Sequence, residues 1–380
     1  MKWVNFLHIY QPPTQSKEVI DKVVSESYAL LPELMRRHPD LRLSMSISGS
    51  LLELLDKYGH AGVIESYRKL AKAGRIELVG SAMYHPLMPL ITPAMMRRQI
   101  KQNDLVLKRY FGDSYATKGF YFPEMAYSRT AGEMVKELGF EWTILDDIHV
   151  AGDIEQHLRY RILDSGLTVC FRNREFSRTF PPEFIMRNLK RAPDPLITAH
   201  DGELYGHWHA DDGGFYEKAF SSPDIETLTV SEYLASLKEE KVVKLRKASW
   251  ESTKDELEAK VPFALWNAPG NVIHRKLWAL AYTAEKTVMA HDGDPHFGRA
   301  LGTLDKGFAS CAWWWGSGRK LGPFSPISWS PLDIEKGAGM LLESVRTLKD
   351  IPVAERLKIE KMFSSLRDAV WSIHWNHQYK

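Results

Sequence analysis

Two hydrophobic periods alternate along the first two-thirds of the chain. "KWVNFLHIY" (Lys2–Tyr10) is a nearly continuous apolar run and predicts a buried strand. From Ser16 to Arg37 the period changes to helical, with Ile20, Val23, Val24, Leu30, Leu31 and Leu34 near one stripe. "LRLSMSIS" alternates like a strand, and Gly49 to Ala73 predicts one or two helices closed by Gly74. "RIELVGSAMY" is the third strand. Thr92 then caps a helix through Tyr110, closed by Gly112. "GFYFPE" is the fourth strand, followed by a helix capped by Ser128 and closed by Gly139. "EWTILDD", "GLTVCFRN" and "PLITAHD" complete a set of strands alternating with helices. Such alternation predicts a parallel sheet, open or closed into a barrel.

Past Leu237 the strand signal fades. Val272–Ala290, Leu332–Leu348 and Val353–Ser372 carry helical periodicity. The division is therefore an α/β domain over residues 1–237 and a mainly helical subdomain over 238–380. No internal repeat or low-complexity linker separates them.

Composition narrows the function classes. The chain has 380 residues, 44% of them hydrophobic, with a net charge of +2 and its basic residues dispersed. Nothing argues for nucleic acid or an anionic membrane as partner. Two cysteines, Cys170 and Cys311, cannot build a disulfide framework or a four-cysteine zinc site, and read as reduced thiols. "MKWVNFLHIYQPP" lacks the features of a signal peptide, so the expected location is cytoplasmic. No feature specifies an oligomeric state.

The polar clusters fall at the ends of the expected strands. His8 and Gln11 follow the first; Glu77, Tyr84 and His85 lie on or after the third; Glu124 ends the fourth; Asp146 and Asp147 end the fifth. The last strand ends in "TAHDGELYGHWH", which holds His200, Asp201, Glu203, His207, Trp208 and His209. Ligands of parallel α/β sheets and barrels bind at the carboxyl ends of strands. Glu124 alone reads as a solvated loop glutamate and Asp201 alone as a turn aspartate before Gly202. Together they make a carboxylate pair delivered by separate strands, as glycoside chemistry requires. The histidines also suit a divalent-metal hydrolase, a deacetylase or a mannosidase, but no two stand four apart, and hydrogen bonding to sugar hydroxyls needs fewer assumptions. No metal or other cofactor is therefore expected. "CAWWWGSG" places Trp313, Trp314 and Trp315 in succession; these read equally as interface packing and as rings on which sugars stack. A glycan-binding protein without catalysis is a third reading.

These motifs resemble glycoside hydrolase family 57. "HIYQPP" from His8 is similar, with an insertion, to the family's first region, and "GRIELVG" to its second. "FYFPEMAYS" resembles the region carrying the nucleophilic glutamate, here Glu124. "HDGELYGHW" resembles the region carrying the acid/base aspartate, here Asp201, and "ASCAWWWGSG" the tryptophan-rich fifth region. The resemblance implies an incomplete (β/α)7 barrel followed by a helical region, and a retaining mechanism on α-glucans or other α-linked oligosaccharides. Family activities include α-amylase, 4-α-glucanotransferase and branching enzyme. It further implies that His8, His85, His200 and Trp208 hold the sugar, with Gln11, Trp313 and Trp314 as further contacts and Glu77 as a supporting carboxylate. Cys311 and Ala312 depart from the family pattern, which has an acidic residue before the tryptophans.

Overall fold

The structure, a computed structural model, describes residues 1–116, 118–320 and 327–378. They fall into two compact units. The first comprises residues 1–11, 15–83 and 88–250, and the second residues 12–14, 84–87 and 251–380.

All described strands belong to the first unit: β1 (Lys2–Ile9), β2 (Leu43–Ile47), β3 (Ile76–Leu78), β4 (Gly119–Phe120), β5 (Trp142–Asp146), β6 (Arg159–Ile162), β7 (Thr168–Arg172), β8 (Leu196–Asp201), β9 (Glu226–Leu228) and β10 (Glu240–Val243). One sheet runs β3-β2-β1-β8 and another β10-β6-β7-β5-β4. They join where Gly80 pairs with Phe120, and again where Asn173 N–H donates to Ile197 O at 2.8 Å. The result is a ring of seven parallel strands in the order β1-β2-β3-β4-β5-β7-β8: the parallel strands that the alternating periods predict, in the barrel that the resemblance implies. β6 runs antiparallel to β7 and β9 pairs with the first half of β1, both outside that ring.

Helices cover the outer face. Leu7 and Ile9 of β1, Leu43, Met45 and Ile47 of β2, and Ile76 and Leu78 of β3 pack against Ile20, Val23, Leu34, Leu51, Leu55, Ile64 and Leu107. Burying aliphatic side chains of this size stabilises by about 1.5–3 kcal/mol each. Thr92 and Ser128 cap their helices as the sequence predicts, and Ser48 caps a third, each accepting from the backbone N–H three residues on. The helix expected over Ser16–Arg37 is interrupted by one π-helical turn, Val24–Tyr28. At the amino ends of the strands, the helix Val230–Ser236 closes the interior: Val230 N–H donates to Ser44 Oγ (2.8 Å), Ser231 N–H to Glu77 (3.2 Å), and Trp142 Nε1 to Ser231 Oγ (3.1 Å).

The second unit is helical. Its main elements are Val272–Ala290, Phe297–Gly307, Pro331–Thr347 and Val353–Ile373. Three of these four match the sequence expectation within one residue. No described helix is long and apolar enough to cross a membrane.

Candidate active site

Strand alternation fixes which side chains enter the barrel. Phe6 and His8 of β1 both stack on Tyr121, at ring-centroid distances of 5.4 and 4.4 Å, so they face inward. His8 is in register with Asp201 of β8 and with Ser46 of β2. Asp201 thus ends its strand beside His8 on the interior side. Tyr121 follows β4 and is fully buried. Burial pushes its phenol well above the usual tyrosine range, and the charges of Asp201 and Glu124 push it further, partly offset by Arg172. Both carboxylates of the expected pair therefore act on one buried ring.

Glu124 lies two residues beyond Phe122 in a sharp turn. Its backbone is left-handed, with φ 59° and ψ 18°. For a residue with a Cβ this costs on the order of 1–3 kcal/mol, so neighbouring contacts must hold it. They do. Met125 N–H donates to Phe122 O (2.7 Å) and Ala126 N–H to Pro123 O (3.0 Å). A second segment clamps the turn from the side: Trp250 N–H donates to Glu124 O (3.1 Å) and Tyr127 N–H to Ala248 O (3.0 Å). His149 lies between the two segments, with Nε2 2.9 Å from Met125 O and 3.1 Å from Ala248 O. The indole Nε1 of Trp250 donates to Glu124 Oε2 at 2.9 Å, which fixes the carboxylate's orientation.

An ion pair braces this arrangement. Asp146 is fully buried; Arg172 Nε reaches its Oδ2 at 2.6 Å and Arg174 its Oδ1 at 2.7 Å. Burial alone would raise the Asp146 pKa, but the two guanidinium groups hold it below the usual aspartate range. Arg172 also donates to Ala199 O (2.6 Å), and its guanidinium lies 5.0 Å from the centre of the Trp250 ring. One arginine thus links β5, β7, β8 and the tryptophan that holds Glu124. Asp147, partly buried beside Asp146, is pushed up to about 6 by burial and then by that neighbouring charge.

The remaining expected residues lie in both units. Gln11 donates to Tyr28 Oη (3.1 Å) and Glu203 Oε1 (3.3 Å). Glu77 accepts from Ser44 Oγ (2.5 Å) and Ser231 N–H, at the amino end of the barrel. His200 points to the face opposite Asp201, where its ring stacks 5.5 Å from Tyr205. Burial pulls its pKa down to about 4. Trp208 is 47% exposed. In the second unit, His85 has a left-handed backbone (φ 55°), its Nδ1 lies 3.2 Å from Ser310 Oγ, and burial pulls its pKa down to about 3. Trp313 is buried there, 4.4 Å from the ring of Trp278, and Trp314 packs edge-on against Trp315 at 4.6 Å. Both cysteines are free thiols. Among the described residues, no three His, Cys, Asp or Glu side chains gather as a metal site would.

The chain matches known proteins both in sequence and in structure. The model of glycosyl hydrolase family 57 matches residues 9–246. The chain belongs to that family. Alpha-amylase 1 of Dictyoglomus thermophilum is 30% identical over 145 residues, 38% of this chain and 20% of that protein. The 4-alpha-glucanotransferase of Thermococcus litoralis is 26% identical over 277 residues, 66% of this chain and 41% of that protein. The chain thus spans a fifth to two-fifths of the length of these curated relatives. Among solved structures, a GH57-type branching enzyme from Pyrococcus horikoshii superposes with a TM-score of 0.71 at 16% identity, covering 96% of this chain and 94% of that one. The T. litoralis 4-alpha-glucanotransferase gives 0.71 at 20% identity, covering 92% and 60%. These likenesses show the family-57 fold. The family match contains Glu124, Arg172 and Asp201 and ends before Trp250, which the structure adds to the site.

Proposed function

We propose that this family-57 chain is a retaining glycosidase acting on α-glucans, with α-1,4 linkages as substrate. Glu124 is the nucleophile and Asp201 the general acid/base. One observation carries the reading: Glu124 is held in a strained left-handed turn with one carboxylate oxygen engaged by Trp250 Nε1, and its charge acts on the same buried Tyr121 as that of Asp201. Strain of this kind persists where surrounding contacts over-determine a side chain's aim.

In the first step a carboxylate oxygen of Glu124 attacks the anomeric carbon while Asp201 gives its proton to the departing glycosidic oxygen. The glycosyl ester on Glu124 is then opened by water, which loses its proton to Asp201. His8, beside Asp201, contributes a sugar-facing edge from β1, and the exposed Trp208 a stacking surface. Gln11 braces the turn after Asp201 through Glu203, whereas Glu77 bonds Ser231 at the amino end and His200 stacks on Tyr205, both away from the carboxylate pair. When a sugar hydroxyl replaces water in the second step, the same site performs transfer, the activity in the name of the T. litoralis relative. Chromatography of products after incubation with maltooligosaccharides tests the reading. Shorter oligosaccharides are expected; longer ones alongside them would make the enzyme a transferase. No turnover of any α-glucan would overturn the proposal.

A further inference from the structure

The π-helical turn Val24–Tyr28 has no role in the two chemical steps, yet three of its residues grip one short stretch of chain. That stretch is the turn that follows Asp201. Ser27 Oγ donates to Gly202 O at 3.1 Å. Tyr28 Oη donates to Glu203 Oε1. Glu26 Oε2 lies 2.5 Å from His207 Nδ1. Gly206 has φ +102°, and a Cβ there would meet Glu26 O at 2.0 Å, so the two segments approach as closely as only glycine allows. A π turn inserts one residue into an α-helix, and such insertions occur frequently at functional sites. Ser27 and Tyr28 of this turn are both buried.

At the centre of this grip is Glu203, a carboxyl only 3% exposed and two residues from Asp201. From the π turn it meets Tyr28, and from the end of β1 the Nε2 of Gln11 and the backbone N–H of Tyr10. Tyr67, on the helix Ala61–Lys72, donates to Tyr28 O at 3.0 Å and feels the Glu203 charge. Tyr121 feels it from β4. The titratable side chains of Glu26 and His207 also meet here. No lysine or arginine is among these partners.

We infer that Tyr28 and Glu203 are positioning residues for the acid/base: a buried phenol–carboxyl pair that fixes the turn carrying Asp201 and sets a second carboxyl two residues from it. The inference rests on Asp201 being the acid/base. Burial pushes Glu203 up to about 7, and its hydrogen bonds from Tyr28 and Gln11 oppose that rise. Near neutral pH the pair therefore changes charge. An ionised Glu203 disfavours ionisation of Asp201, since two nearby carboxylates repel, and so extends to higher pH the range in which Asp201 keeps its proton.

The test has two arms on the full chain. In the first, the glutamate carboxyl carbons are labelled with carbon-13 and titrated by NMR, with Glu203→Gln assigning the signal. The Glu203 midpoint is expected near pH 7. Tyr28→Phe removes a donor to the charged form, so the midpoint should rise by about one pH unit or more. Should Tyr28→Phe fail to fold, Gln11→Leu removes the weaker donor and should move it the same way. A midpoint that stays put or falls overturns the inference. In the second arm, Tyr28→Phe and Glu203→Gln should lower kcat by about 10- to 100-fold with KM nearly constant, as small misplacements of an acid/base do. The alkaline limb of kcat/KM should also move to lower pH in Glu203→Gln. A raised KM with unchanged kcat would make Glu203 a substrate contact, and a parent-like limb would make it packing; either overturns the inference. A parent inactive on every α-glucan overturns the functional proposal itself, and with it the role of the pair. An active parent with unresponsive variants overturns the inference alone.

Discussion

Replacing Trp250 by phenylalanine removes the indole N–H and keeps a six-membered aromatic ring. Phenylalanine can still lie against Tyr121, whose ring centre is 6.0 Å from that of Trp250, and under the guanidinium of Arg172. The backbone bond from residue 250 to Glu124 O is also kept. What disappears is the 2.9 Å bond from Nε1 to Glu124 Oε2. A hydrogen bond to a charged group contributes about 1.5–3 kcal/mol. That is the free energy by which one carboxylate orientation is favoured over the others. Its loss lowers the population aimed for attack by roughly 10- to 150-fold. A small part returns, because a carboxylate relieved of a donor is the stronger nucleophile. The expected net loss in kcat on maltooligosaccharides is therefore about 10- to 100-fold, with KM little changed. Steady-state kinetics well below the unfolding temperature measure it, with near-UV circular dichroism confirming native packing. A loss under about threefold in a natively packed variant would refute the idea that the indole N–H aims the nucleophile.

Three further outcomes follow from the packing. Asp146→Asn leaves Arg172 and Arg174 without their buried partner and should cost about 3–5 kcal/mol in urea unfolding at pH 7. The Asp146 pKa is depressed in the folded state, so the parent's ion-pair stability is present above about pH 4 and is lost as pH falls through the folded value; Asp146→Asn lacks it throughout. His85, His200 and His274 are pulled by burial to about 3, 4 and 4, below the ~6.5 of an unfolded histidine. Protons therefore bind the unfolded chain first, and stability should decline as pH falls from about 6.5 towards 4, by up to ~1.4 kcal/mol per group per pH unit; a urea midpoint unchanged between pH 7 and 5 would contradict this. Trp313→Ala empties a space beside Trp278 and Phe308 and should destabilise by about 3–5 kcal/mol in the same assay.

The barrel was legible because its strands are short apolar runs bounded by capping residues, and a parallel ring buries both faces of such runs. β9 and β10 escaped notice since they are short and partly exposed: three of the four residues in Glu240–Val243 face solvent. The π turn was hidden inside a continuous helical stripe, because inserting one residue shifts the apolar positions by less than the width of the stripe. Glu124 and Asp201 stand out in the sequence by their places at strand ends. Arg172 does not, since an arginine after "TVCF" reads as a solvated strand end, and only the opposing Asp146 makes it an interior residue. Trp250 lies far along the chain from Glu124 and carries no local signal of their pairing. The facing of His200 was within reach: alternation along "ITAHD" puts it opposite Asp201, and the chemical attraction of a strand-end histidine outweighed that simple count.

The central claim is that a glycosyl group becomes bonded to Glu124. Trapping that ester decides it most directly. A 5-fluoroglycosyl fluoride of the α series reacts at the nucleophile without needing a proton donor, and its ester is slow to hydrolyse. With Asp201→Asn, deprived of the base that would activate water, the adduct should accumulate further. Peptide mass mapping after proteolysis should then find one sugar on the peptide containing Glu124 and none on that peptide in Glu124→Gln. A sugar on Asp201, Glu203 or any other residue, or none in an enzyme that cleaves maltooligosaccharides, would contradict it.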